Sequence, residues 1–140
     1  MAATGADNPP VVPIVCAALI DGDGKVLLQQ RPEGKAMAGL WEFPGGKIAA
    51  GESPETALCR ELREELDLKV APSSLEPLGF ASHRYESFHI LLLLYRCHAW
   101  RGTPQPREGQ ALAWVAPSGM GDYAMPEADR PLVAMLRNRL

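Results

Sequence analysis

The run GGKIAAGESPETALCRELREELDL, residues 45–68, sets six acidic side chains behind a Gly-Gly pair. Glu61, Glu64 and Glu65 fall three and four residues apart. On a helix their Cβ atoms lie about 5–6 Å from one another, and each like-charge neighbour costs about 0.2–0.5 kcal/mol. One reading is a solvated charged face, because Arg60 with Glu64 and Arg63 with Asp67 sit at favourable four-residue spacings. Against it, Glu61 has no basic residue four positions on, and a further acid, Glu52, stands just before the helix. Clustered carboxylate and carbonyl oxygens are the ligands that hard divalent cations such as Mg²⁺ take. Glycines allow a backbone to approach a metal or a phosphate closely. A bound cation would turn the repulsion among these acids into a ligand set.

The rest of the chain must hold that cluster in place. Its 140 residues are enough for one domain with a real core, and 46% apolar with 22% charged residues is ordinary globular composition. The formal net charge of -3 offers no basic field for a nucleic-acid polymer. Cys16, Cys59 and Cys97 are scattered, which points to reduced thiols rather than a disulfide framework, and no Cys/His cluster argues for zinc. The longest apolar runs, residues 11–20 and 90–95, are too short to span a bilayer. No charged segment followed by an apolar run marks a secretory signal at the start. A cytoplasmic protein with no membrane partner is expected.

Residues 1–10 read as a loose leader and residues 11–140 as one domain. Residues 11–20 are β-branched and apolar, the pattern of a buried strand. Asp21-Gly22-Asp23-Gly24 is a turn signal, and residues 25–31 continue as a second strand, so a hairpin is predicted. Pro44-Gly45-Gly46 should break any regular element. A helix then starts at Ser53 as N-cap, with Pro54 in its first turn and Glu55 where the macrodipole favours an anion. Ala57, Leu58, Leu62 and Leu66 recur at helical spacing and should face the core. Residues 75–84 and 88–100 read as strands joined by a turn at 85–87, and residues 111–116 as another strand. A closing helix over 131–140 puts Leu132, Val133, Leu136 and Leu140 on one face. Trp41, Trp100 and Trp114 are expected in the core, and His83, His89 and His98 show no ligand spacing. Mixed strands and helices of this kind predict an α/β sandwich around a mixed β-sheet.

The acidic stretch resembles the Nudix box, Gly-x5-Glu-x7-Arg-Glu-U-x-Glu-Glu-x-Gly-U, where U is bulky and aliphatic. Gly46, Glu52, Arg60-Glu61, Leu62, Glu64, Glu65 and Leu68 all fall in place. One position departs: Asp67 stands where the family has glycine, at the helix end, where Asp accepts a left-handed turn less readily than Gly. Leu40-Trp41-Glu42-Phe43-Pro44-Gly45-Gly46-Lys47 is also similar to the segment leading into the box in the MutT branch.

The resemblance implies a Nudix-type α/β/α sandwich and hydrolysis of a nucleoside diphosphate linked to another moiety. For the MutT branch it implies a nucleoside triphosphate cut to monophosphate and pyrophosphate, with Mg²⁺ as cofactor and Mn²⁺ as a substitute. Glu61, Glu64 and Glu65 match the family's metal-binding acids, with the Gly46 carbonyl as a further ligand. Glu52 and Gly45 are supporting. Arg60 orients a carboxylate. The general base is either Glu61 or Glu108, a loop glutamate resembling one that approaches the metals in MutT-like enzymes. Arg31 and Lys47 are candidates for phosphate contact. Phe43, Tyr85, Phe88 and Asp129 are candidates for the rest of the substrate. Asp129 stands where 8-oxo-dGTP hydrolases have asparagine, and an ionised Asp only accepts hydrogen bonds. Ala128-Asp129-x-Pro131 with Gln110-Ala111-Leu112 also resembles the CTP and modified-dCTP branch. Purine and pyrimidine both stay open, as does a non-catalytic nucleotide-binding Nudix domain. The expected assembly is a monomer or weak dimer.

Overall fold

The computed structural model describes residues 9–139; most of the expected leader and Leu140 of the last helix lie outside them. The elements are β1 (Val11–Leu19), β2 (Val26–Gln30), β3 (Trp41–Glu42), β4 (Gly45–Lys47), α1 (Pro54–Leu66), β5 (Glu76–Arg84), β6 (His89–Cys97), β7 (Ala111–Val115) and α2 (Arg130–Arg139). They make two sheets. A mixed sheet runs β4-β1-β6-β5, with β1 and β6 parallel and the other pairs antiparallel. An antiparallel sheet runs β3-β2-β7.

The period of two in β1 builds the sandwich. Val15, Ala17 and Leu19 pack with Leu58, Leu62 and Leu66 of α1 in one core. Cys16 and Ala18 turn the other way and pack with Leu132, Val133 and Leu136 near α2. Both faces of the strand are therefore buried, as its unbroken apolar run predicts. Leu58, Leu62 and Leu66 are fully buried, and each such side chain contributes about 1.5–3 kcal/mol relative to exposure.

Four expectations are corrected. The predicted hairpin is only a turn: Asp21 donates its N–H to the Lys25 carbonyl and Ile20 bridges Val26, but β1 and β2 then part into different sheets. β6 pairs one edge of β1 from Val11 to Leu19 and β4 pairs the other over Ile14–Cys16, while β2 pairs with β3 and β7. Gly45-Gly46 does not break the structure but forms β4 against β1. A β-carbon on Gly45 would collide with the Val15 carbonyl oxygen and lie 2.7 Å from Cα of Cys16, so only glycine permits this approach. Trp114 is not core: it is 36% exposed and stacks on half-buried Trp100 with centroids 6.1 Å apart. The strand expected to reach residue 100 ends at Cys97.

Candidate active site

The helix that carries the acids is fixed at both ends. Ser53 Oγ accepts the Thr56 N–H at 3.1 Å, the expected cap. At the far end Asp67 adopts the left-handed conformation, φ 57°, that the family's glycine would take without strain. Its carboxylate meets Arg107 Nη2 at 2.6 Å.

Arg60 organises the acidic face. It grips Glu52 with two bonds, Nε to Oε2 at 2.8 Å and Nη2 to Oε1 at 2.9 Å. Nη1 reaches Glu61 at 2.9 Å and Glu64 at 3.2 Å, and Nη2 also donates to the Lys47 carbonyl at 3.1 Å. Hydrogen bonds from Arg60, with the Ala49 N–H, hold the Glu52 carboxyl down at about 2. Arg60 thus contacts three carboxylates and one backbone carbonyl. Glu61 finds its cation at the adjacent residue, a contact that helical spacing alone does not reveal.

Glu65 is the buried acid of the set, 6% exposed. Burial above all pushes its carboxyl up to about 8; the Gly45 N–H lowers it, and the nearby charges of Glu61 and Glu108 raise it. Gly45 donates to Glu65 Oε1 at 3.0 Å, and Gln29 Nε2 lies 3.4 Å from both oxygens. Burial likewise raises Glu61, with Arg60 opposing and Glu64 and Glu108 adding to the rise. Gly46 runs so close to Glu61 that a β-carbon there would lie 2.6 Å from both carboxylate oxygens. The Glu108 loop joins a small cleft of about 150 Å³ together with Glu65, Gly45 and Gln110.

Among the described residues no three of these acids already converge into a ligand group; Arg60 bonds Glu61, and Gly45 and Gln29 bond Glu65. The donor set nevertheless fits a hard divalent cation. It is all oxygen, the charges of neighbouring acids push up the Glu61 and Glu65 carboxyls, and the backbone at Gly46 leaves no room for a side chain beside Glu61.

Next to the small cleft opens a larger one of about 700 Å³, lined by Arg31, Phe43, Lys47, Tyr85, Phe88 and Asp129, with Gly45 and Gly46 at its wall. The six candidates for substrate contact therefore come together. Arg31 is tied to Glu42 at 2.9 Å and to the Ala36 carbonyl. Tyr85 and Phe88 lie 5.3 Å apart, and the Tyr85 hydroxyl accepts the Ala128 N–H at 3.3 Å, tethering the turn that carries Asp129. Phe43 has its ring in the core and is 4% exposed.

Asp129 lies in the wall of this cleft. Its side chain is buried, and burial, with the Glu42 charge adding to it, pushes the carboxyl up to about 7; Arg31 and the Phe43 backbone amide act the other way. A carboxyl in its neutral form has one donor and an acceptor, whereas the ionised form only accepts. Sequence reasoning also missed Gln29, whose only signal is a polar residue at the end of a buried strand, and the bridging role of Gln110.

A glycine-walled cleft beside an acidic helix, inside an α/β/α sandwich, defines a phosphate-handling hydrolase of the Nudix type. The NUDIX domain family matches residues 15–135. The chain is 43% identical over 121 residues to a CTP pyrophosphohydrolase of Escherichia coli K12, covering 85% of this chain and 87% of that protein. It is 38% identical over 126 residues to an 8-oxo-dGTP diphosphatase of Haemophilus influenzae, covering 89% and 90%. A solved MutT structure, described for Aliivibrio salmonicida and Vibrio cholerae, is similar with a TM-score of 0.79 and 32% identity, over 93% of this chain and 99% of its own. The chain belongs to the Nudix hydrolase family.

Proposed function

We propose that the chain is a Mg²⁺-dependent nucleoside triphosphate pyrophosphohydrolase of MutT type, acting on 8-oxo-dGTP in the cytoplasm and releasing the monophosphate and pyrophosphate. One observation carries this reading: a single cleft has a buried, titratable carboxyl, Asp129, in its lining and Gly45, Gly46 and Lys47 in the same lining, next to the α1 acids. Such a cleft suits a ligand with a base at one end and phosphates at the other. MutT-type similarity over nearly the whole chain supports it.

When bound, the cation neutralises phosphate charge and acidifies water. Glu61, Glu64, Glu65, Glu108 and the Gly46 carbonyl would hold it. Arg60 keeps Glu52, Glu61 and Glu64 in register. Arg31 and Lys47 receive phosphate oxygens, and Tyr85 and Phe88 flank the base. Either Glu61 or Glu108 takes the proton from the attacking water. Asp129 reads the base edge: as a neutral carboxyl it donates to one ring or carbonyl acceptor and accepts from an adjacent N–H.

A second reading, CTP or a 5-substituted dCTP, is favoured by the 43% identity to a CTP pyrophosphohydrolase. The acceptor N3 and the amino group of cytosine also complement a neutral carboxyl. Side-by-side kcat/KM for 8-oxo-dGTP, dGTP, CTP and 5-methyl-dCTP decides. The first reading expects the largest value for 8-oxo-dGTP, with pyrophosphate released with Mg²⁺ and not with EDTA. The largest value for a cytosine nucleotide replaces it with the second. Binding without pyrophosphate release for any nucleotide would make the chain a non-catalytic Nudix domain.

A further inference from the structure

The loop that carries Glu108 is bound to the C-terminal end of α1 by an unusually complete set of bonds. Gln105 donates its N–H to the Leu66 carbonyl at 2.9 Å, and Arg107 donates its N–H to the Glu65 carbonyl at 3.1 Å. These are carbonyls that a helix end leaves without intrahelical partners. Arg107 Nη2 then reaches Asp67 at 2.6 Å. Gln110, 7% exposed, closes the arrangement. Its Oε1 accepts the Glu108 N–H at 2.8 Å, and its Nε2 donates to the Glu65 carbonyl at 3.0 Å and to Gln29 Oε1 at 3.3 Å. Gln29 in turn donates to the Glu65 carboxylate.

The amide of Gln110 can sit only one way. Turned over, it would set its oxygen against the Glu65 and Gln29 oxygens and its NH₂ against the Glu108 N–H, losing all three bonds at once. One side chain therefore joins the backbone of Glu108 to that of Glu65. Asp67 adds the second tie. It stands in a left-handed conformation that glycine would adopt more cheaply, and what its side chain gains there is the contact with Arg107, the residue next to Glu108.

We propose that Gln110, assisted by the Asp67–Arg107 pair, is a positioning device that clamps the loop of residues 105–110 onto the end of α1 and so holds Glu108 beside Glu65 and Glu61. The inference rests on the proposed hydrolase reading for Glu108, but the clamp itself is a property of the loop. Gln110 acts through the placement of Glu108 rather than on substrate. Asp67, the one departure from the family's box pattern, trades local backbone ease for a fixed loop.

The test uses the full chain and two kinds of readout. Amide hydrogen exchange of Arg107 and Glu108 is measured without nucleotide in wild type, Gln110→Met and Asp67→Gly. The clamp expects faster exchange at both amides in Gln110→Met and at Arg107 in Asp67→Gly, with α1 amides before residue 62 unchanged. Pyrophosphate release is then measured for the same variants and for Glu108→Gln. A supporting side chain of this kind changes activity by about 10-fold, and a half-exposed ion pair by about two- to fivefold. Gln110→Met should therefore lower kcat by about 10-fold. Because it acts through Glu108, Gln110→Met combined with Glu108→Gln should lose little more than Glu108→Gln alone. Asp67→Gly should lower kcat with no fall in Tm, since it relieves the left-handed strain. Unchanged exchange at Arg107 and Glu108 overturns the clamp whatever the activity. Fully multiplicative losses in the double variant overturn the route through Glu108. Absence of pyrophosphate release in wild type removes the hydrolase reading, while the exchange result still decides the clamp.

Discussion

Arg60 holds Glu52 through two parallel bonds of 2.8 and 2.9 Å, and the same guanidinium reaches Glu61 and Glu64. A planar fork with several donors can do this; an ammonium cannot. Arg60→Lys should therefore lower kcat by about 10- to 100-fold with a smaller change in KM, because the carboxylates lose their orientation rather than the substrate its contacts. Steady-state kinetics at saturating Mg²⁺ checks this, and near-wild-type kcat would reduce Arg60 to a surface cation.

Gly46→Ala tests the closeness of β4 to α1. The new methyl would meet the end of the flexible Glu61 side chain, not backbone, so the fold should persist while Glu61 is displaced. Turnover should fall by at least about 10-fold, on the scale of a misplaced metal-site group, with Tm changed by only a few degrees. A variant that melts far below wild type would instead show that Gly46 is needed for the sheet.

Addition of Mg²⁺ should raise the melting temperature of the metal-free protein. A ligand bound only by the native state stabilises it by mass action, about 2.7 kcal/mol at one hundred times its Kd. Here it also relieves repulsion among Glu61, Glu65 and Glu108. Scanning calorimetry over a Mg²⁺ series, with Glu61→Gln as control, reads the effect; an equal shift in that control places the binding elsewhere.

Asp129 makes stability depend on pH with a definite sign. Its folded carboxyl is raised from 3.8 to about 7, so the unfolded chain loses that proton first as pH rises. The contribution is whole below 3.8 and is lost as pH climbs through about 7. Asp129→Asn keeps the shape and removes the titration. Its Tm relative to wild type should therefore rise between pH 5 and pH 8, measured in EDTA so that metal binding does not intrude. A difference that stays constant with pH would mean that Asp129 titrates as an ordinary carboxyl.

Much of this architecture is written in local sequence. The alternation of Val15, Cys16, Ala17 and Ala18 is enough to bury both faces of β1, and Ser53, Pro54 and the Leu58–Leu62–Leu66 stripe are enough to start α1 and aim it at the core. The acids of residues 52–65 are legible because a helix turns fixed spacing into fixed proximity. Strand partnership is not local. β2 leaves β1 after one bridge because its partners, β3 and β7, come from elsewhere in the chain, and whether Gly45-Gly46 breaks the chain or joins a sheet depends on a backbone that must come close to it. Ionisation is not local either. Glu61, Glu64 and Glu65 share one short segment, yet only Glu65 is held up to about 8, because only tertiary packing decides which carboxylate loses water. Asp129 reads in sequence as an anion before a helix. In the fold it is a buried group beside Glu42, and the free energy of desolvation there, set by strands distant in the chain, pushes its carboxyl up to about 7.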